Sequence, residues 1–182
     1  MGVGLGINDE QEFADFGDAG DRLLRGRILD ESLQVLARLW SGEAVAFDGD
    51  HLQVKASPFL PTPLQQPRIP VWVAGLWPNK RPMRRAAAWD GAFPIDAGGD
   101  ITQQLSLKGM AEAIAFLHQH RTSEAPFDVV HAGLMSGDRD SDIETARDYA
   151  GIGVTWWLEH VYPGRMTPNQ LRHLVREGPP RR

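Results

Sequence analysis

The chain has 182 residues, 42% hydrophobic and 24% charged, which is ordinary for a water-exposed globular protein with room for a sizeable core. A net charge of −5 argues against nucleic-acid binding, which normally shows as a basic face. With no cysteine, disulfides, thiolate catalysis and cysteine-based metal sites are excluded. No apolar run is long enough to span a bilayer, and Met1–Glu10 lacks the basic start and apolar core of a secretory leader, so a cytoplasmic protein is expected.

Val3, Leu5 and Ile7 alternate with glycines and predict a strand. This glycine run lacks the spacing of a dinucleotide fingerprint. A polar segment anchored by Phe13 and Phe16 runs to Gly20. Asp21 is placed to cap a helix reaching about Trp40, with Leu29, Leu33, Leu36 and Trp40 at helical spacing and Gly42 just past its end. Gly26 weakens the early part of that helix. Alternating runs around Asp48-Gly49, within Glu43–Val54, predict a hairpin, and a proline-rich connector from Pro58 to Pro70 follows.

Pro70–Ala74 is a short apolar run that reads as a strand buried on both faces, ended by Gly75. The loop that follows carries two prolines, Asn79, Lys80 and Arg81. Pro82–Trp89 predicts a helix with Pro82 in its first turn, closed by Asp90-Gly91, and Ala92–Ile95 predicts the next strand. A permissive glycine, free N–H groups at a helix start and two cations suit an anion such as phosphate. A turn that merely reverses the chain, with Lys80 and Arg81 solvated, accounts for the same residues, and both readings stand.

Beyond Ile95, a helix is expected from about Thr102 to His120, with Leu105, Met110, Ile114 and Leu117 on its apolar face. Phe127–Ala132 reads as a strand. Ser141-Asp142-Ile143-Glu144 has the pattern of a capping box opening a helix that ends near Gly151 or Gly153. Val154–Glu159 reads as a strand of β-branched and aromatic residues, with Trp156 and Trp157 as core and wall residues. Thr167-Pro168-Asn169-Gln170 opens a last helix ending at Gly178, and Pro179–Arg182 is a tail. Five strand–helix units in alternation predict a parallel α/β sheet, either open or the back portion of a (β/α) barrel.

Six histidines invite a metal site, but His118 and His120 point apart on a helix and no His-Glu-x-x-His pattern exists. Asp138, Asp140 and Asp142 imitate the start of a calcium loop, yet Ile143 stands where its glycine belongs and Tyr149 where its glutamate belongs. A helix-capping loop explains them better. There is no Gly-x-Ser-x-Gly elbow and no Walker loop. Glu159 and His160 follow a strand at the end where barrel sites form, as pocket or rim residues.

Several stretches, in order, resemble luciferase-like flavin-dependent oxidoreductases. They are Gly2–Gly6 with Glu12-Phe13 and Phe16-Gly17, then Leu39–Glu43 leading to Phe47–His51. Pro70–Gly75 with Ala86–Gly91, Gly153–Glu159 and Gly178–Arg181 follow. The resemblance implies a single domain over residues 1–182, a (β/α) barrel truncated at its N-terminal side, with a hairpin and proline-rich insertion over 43–70. It implies FMN, or alternatively the deazaflavin coenzyme, at the C-terminal ends of the strands, with its phosphate at Gly75, Leu76, Trp77, Asn79, Lys80 and Arg81. It also implies oxidoreductase or monooxygenase chemistry on a small organic substrate.

The chain departs from that family in lacking its first three strand–helix units. Homo-oligomerisation or pairing with a complementary barrel fragment follows as an expectation, and so does a catalytically silent fragment as the contrasting reading. Ile7 stands after Gly6 where sugar-phosphate-oxidising deazaflavin members place a glutamate, and Leu5 stands where some flavin members place an arginine. No catalytic residue carries over.

Overall fold

A computed structural model describes residues 1–6, 11–98, 102–162 and 164–179. The chain forms two compact units, Met1–Val71 and Trp72–Arg182.

The first unit opens with a two-residue strand β1 (Gly2–Val3), shorter than expected: residues 4–6 are not in a strand, and Ile7 lies outside the described residues. Helix α1 (Arg22–Leu39) starts where Asp21 accepts a hydrogen bond from the Leu23 N–H, as its capping preference dictates. Gly26, which weakened the helix on propensity alone, is buried in it, and Val35 joins Leu33 in the core. The hairpin is present as β2 (Val45–Asp48) and β3 (Gln53–Ser57). Its turn is not the tight Asp48-Gly49 pair, because Asp48 still pairs with Gln53 and Gly49 bonds across to Leu52. The reason lies in α1: the Glu31 carboxylate accepts N–H bonds from Asp50, His51 and Leu52, which holds the wider loop. Desolvation pushes the Glu31 carboxyl up, but those amides and the His51 imidazole outweigh it and hold its pKa below the ordinary value.

The second unit alternates β4 (Trp72–Trp77), α2 (Lys80–Ala87), β5 (Gly91–Asp96), α3 (Leu107–His120), β6 (Asp128–Gly133), α4 (Arg139–Gly151), β7 (Trp156–Glu159) and α5 (Pro168–Glu177). The strands lie side by side in chain order and pair in parallel, as alternation predicts. One face packs on the helices: Val73, Trp77, Ala92, Pro94 and Val129 are buried, with Met83, Ala86, Met110, Ala113, Ile114 and Leu117 filling the helical side. By the two-residue alternation, Trp72, Ala74, Leu76, Phe93, Ile95, Asp128, Val130, Ala132, Trp156 and Leu158 form the other, inward face.

That face is concave. Trp72 and Trp156 sit on strands three apart, about 14 Å in a flat sheet, yet their ring centroids are 5.4 Å apart. Gly91 lies between them, and a Cβ there would come within 2.6 Å of the Trp72 ring. The sheet curls as part of a barrel wall.

Element ends depart from expectation in four instructive places. Strand β4 runs through Gly75 to Trp77 instead of ending at Gly75. A Cβ on Gly75 would lie 2.3 Å from the Pro82 Cβ, so this glycine admits α2 against the sheet and does not break the strand. Helix α2 begins at Lys80, two residues before Pro82, with Asn79 in the capping position. Helix α4 is capped by Asp138, whose side chain accepts from the Ser141 N–H, which leaves Ser141 inside the helix rather than at its cap. Helix α3 likewise starts later than expected, where Ser106 accepts from Gly109. The capping box of α5, by contrast, is complete, with Thr167 and Gln170 bonded reciprocally and Pro168 first in the helix.

Candidate functional site

At the amino-terminal ends of the strands the inward face is closed by polar contacts. The Asp128 carboxylate accepts from Trp72 Nε1 at 3.1 Å, Trp156 Nε1 at 3.1 Å and Thr155 Oγ1 at 3.1 Å. Two indoles and a hydroxyl on one carboxylate make this end a plug. Sequence reading missed it, because only the curl brings strands β4 and β7 to the same acid.

The carboxyl-terminal ends are where barrel sites form, and here two loops of the same sheet differ sharply. In the segment between β6 and α4, every amide in turn is claimed by a side chain. Leu134 N–H donates to Gln104 at 2.9 Å and Met135 N–H to Glu159 at 3.1 Å. Ser136 N–H and Gly137 N–H donate to the buried Asp142 carboxylate at 2.7 and 3.0 Å. Arg165 then donates to Glu159 at 2.5 Å, to the Met135 carbonyl at 2.9 Å and to the His160 carbonyl. Asp142 therefore serves a loop rather than the α4 cap, and Glu159 is a fastening for the β6 and β7 ends rather than a pocket acid.

The turn between β4 and α2 is open by comparison. Asn79 N–H donates to the Leu76 carbonyl, and Ala97 N–H to the Trp77 carbonyl. The Asn79 side chain makes no capping bond, so the first amides of α2, at Lys80 and Arg81, have no side-chain acceptor from the cap. Asn79, Lys80 and Arg81 are exposed. Lys80 and Arg81 make no ion pair among the described residues.

The structure thus divides the six residues expected to hold a phosphate. Asn79, Lys80 and Arg81 come together at the helix start. Gly75, Leu76 and Trp77 belong to strand β4, with Leu76 on the inward face and Trp77 on the helix face, against Phe116 at 5.9 Å. The Lys80 ammonium lies over the Trp77 ring, 3.7 Å from its centroid, and 4.5 Å from that of Phe116. Its charge stays at the turn while its position is set by aromatic faces.

Of the histidines, His131 is the most deeply placed. It faces the helices, stacked on Tyr149 at 4.2 Å and edge-on to Trp157 at 5.0 Å, and neither ring nitrogen has a hydrogen-bond partner among the described residues. Burial pushes its pKa down to about 4, and pushes the Tyr149 hydroxyl up. Among the described residues no group of His, Asp and Glu is arranged to hold a metal ion, and no helix is long and apolar enough to cross a membrane.

A curled parallel sheet backed by helices defines a partial (β/α) barrel. The chain belongs to the luciferase-like monooxygenase family, whose model matches residues 1–178. Solved structures of similar fold include the monooxygenase RslO1 from Streptomyces bottropensis, at 15% identity and a TM-score of 0.54, over 84% of this chain and 46% of that one. An F420-dependent secondary alcohol dehydrogenase is similar at 18% identity and a TM-score of 0.55, over 83% and 44%. The coenzyme F420-dependent tetrahydromethanopterin reductase from Methanopyrus kandleri is similar at 15% identity and a TM-score of 0.56, over 79% and 43%. The chain spans less than half the length of these structures.

Proposed function

We propose that the chain is the cofactor-binding part of a luciferase-like oxidoreductase, with a flavin on its inward face and the cofactor phosphate at the β4–α2 turn. The carrying observation is the contrast between the two loops. The β6–α4 segment presents carboxylates that already hold its amides, which repels an anion, whereas the β4–α2 turn offers helix-start amides that receive no side-chain bond from the capping residue, beside Lys80 and Arg81. The inward face suits an aromatic ring toward its open end: Ile95 and Leu158 are 38% and 41% exposed. In this reading Lys80, Arg81 and Asn79 hold the phosphate, and Leu76, Ile95 and Leu158 line the ring.

The bound flavin would supply the two-electron chemistry, and the protein positions it and a small organic substrate and keeps water out. FMN is the first candidate. The deazaflavin coenzyme is the second, favoured by the two neighbouring structures that depend on F420. The exposed inward residues call for a further polypeptide layer, a second copy or a complementary barrel fragment, before turnover is well coupled.

Titration with FMN and with the deazaflavin coenzyme, followed by visible absorbance and Trp quenching, tests this. We expect saturable binding of one of them, weakened about ten-fold by Arg81→Glu at low ionic strength and less at high. Binding of neither, or equal binding by wild type, Arg81→Glu and Lys80→Glu, would overturn the placement.

A further inference from the structure

The inward face is almost wholly apolar, and its exceptions stand at opposite ends. Asp128 is at the closed end, its carboxylate taken by two indoles and Thr155. At the open end β7 stops at Glu159, but the His160 N–H still bonds the Gly133 carbonyl as the next rung of the parallel pairing. The alternation of Trp156 and Leu158 therefore carries one residue further, to His160. No other strand of this unit brings a titratable side chain to the inward face at that end: β4 ends inward on Leu76, β5 on Ile95 and β6 on Ala132.

The backbone of His160 is held on both sides. Its N–H donates to the Gly133 carbonyl at 2.8 Å, and its carbonyl accepts from Arg165. Its imidazole has no structural duty of that kind. The ring meets Tyr162 edge-on at 5.5 Å, is half-buried, and makes no hydrogen bond among the described residues. The neighbouring charges are already engaged with each other, Glu159 with Arg165. A fixed backbone carrying an uncommitted imidazole at the site end of the sheet is the arrangement that proton exchange with a ligand requires.

We propose that His160 exchanges a proton with the molecule bound on the inward face, and that Arg165, through the His160 carbonyl and Glu159, is its positioning residue. The imidazolium gives its proton to a ligand oxygen or nitrogen and regains one from water at the open rim, and the hydroxide left behind passes to bulk solvent, so charge and protons balance without another reactant. This rests on the cofactor-binding reading above.

The test uses FMN and the deazaflavin coenzyme as probes and histidine-labelled protein, with His160→Gln assigning the imidazole resonance. Saturation by the probe that binds should move the His160 signal and its titration midpoint, and leave His118 on the outer face of α3 in place. Probe affinity should change several-fold across the imidazole range in wild type, and His160→Gln should flatten that profile. Arg165→Lys should shift the midpoint. If neither probe binds, the cofactor-binding reading fails and this proposal fails with it. If a probe binds while the His160 signal stays fixed, or the pH profile survives in His160→Gln, this proposal alone is overturned.

Discussion

The two loops at the site end of the sheet begin from similar materials and finish in opposite states. Both join a parallel strand to a helix, and both carry polar residues. Between β6 and α4, acids from two directions, Gln104 aside, have turned inward on the backbone: Glu159 from β7 and Asp142 from α4. Between β4 and α2 the charges are cationic and the capping residue, Asn79, lends the helix-start amides no side-chain acceptor. Fastening and binding thus compete for the same backbone donors, and a loop that uses its amides for the first has none for the second.

The largest expected effect comes from unfastening the closed loop. Asp142→Ala removes the acceptor for Ser136 N–H, Ser136 Oγ and Gly137 N–H at a buried position, which should cost about 4 kcal/mol in urea unfolding. A loss under 1 kcal/mol would mean that the fastening is ornamental and the contrast misread.

Beneath the same loop, His131 makes the sheet–helix contact sensitive to acid. Its folded pKa, about 4, lies below the unfolded value of 6.5. The unfolded chain therefore binds a proton that the folded one refuses, and stability is full above pH 6.5 and declines as pH falls toward 4. The decline amounts to about 3 kcal/mol. His131→Phe should flatten the slope between pH 7 and 4.5, and an unchanged slope would assign acid sensitivity to other groups.

A smaller effect, about 1–3 kcal/mol, is expected for Gly75→Ala, whose methyl meets Pro82. Because it displaces the first turn of α2, its sharper readout is cofactor affinity: the loss of binding should exceed that of a surface substitution of equal stability cost. Normal affinity in a destabilised Gly75→Ala protein would detach the binding site from the α2 start.

How much of this was legible beforehand varied with how local its cause was. The capping box at Thr167–Gln170, the cap at Asp21 and the alternation of strands with helices depend on neighbours in sequence, and each was readable. Gly75 was misread as a strand end because its true reason is a helix that returns to the strand only after the turn. The hairpin was readable but its turn was not, since Glu31 imposes the loop from about twenty residues away. Asn79, Lys80 and Arg81 stood out by composition. The Asp128 plug and the Arg165 fastening carry no sequence signal, because tertiary curvature alone assembles them.

The pair of indoles over Asp128 has an optical consequence. Trp72 and Trp156 share one carboxylate and lie 5.4 Å apart, so the strong indole band of their far-ultraviolet circular dichroism should carry an exciton couplet whose amplitude falls steeply as the strands move apart. That signal is in effect a strain gauge for the sheet. It would report flattening of the curve before any helix melts, and it needs no label, cofactor or substrate to be read.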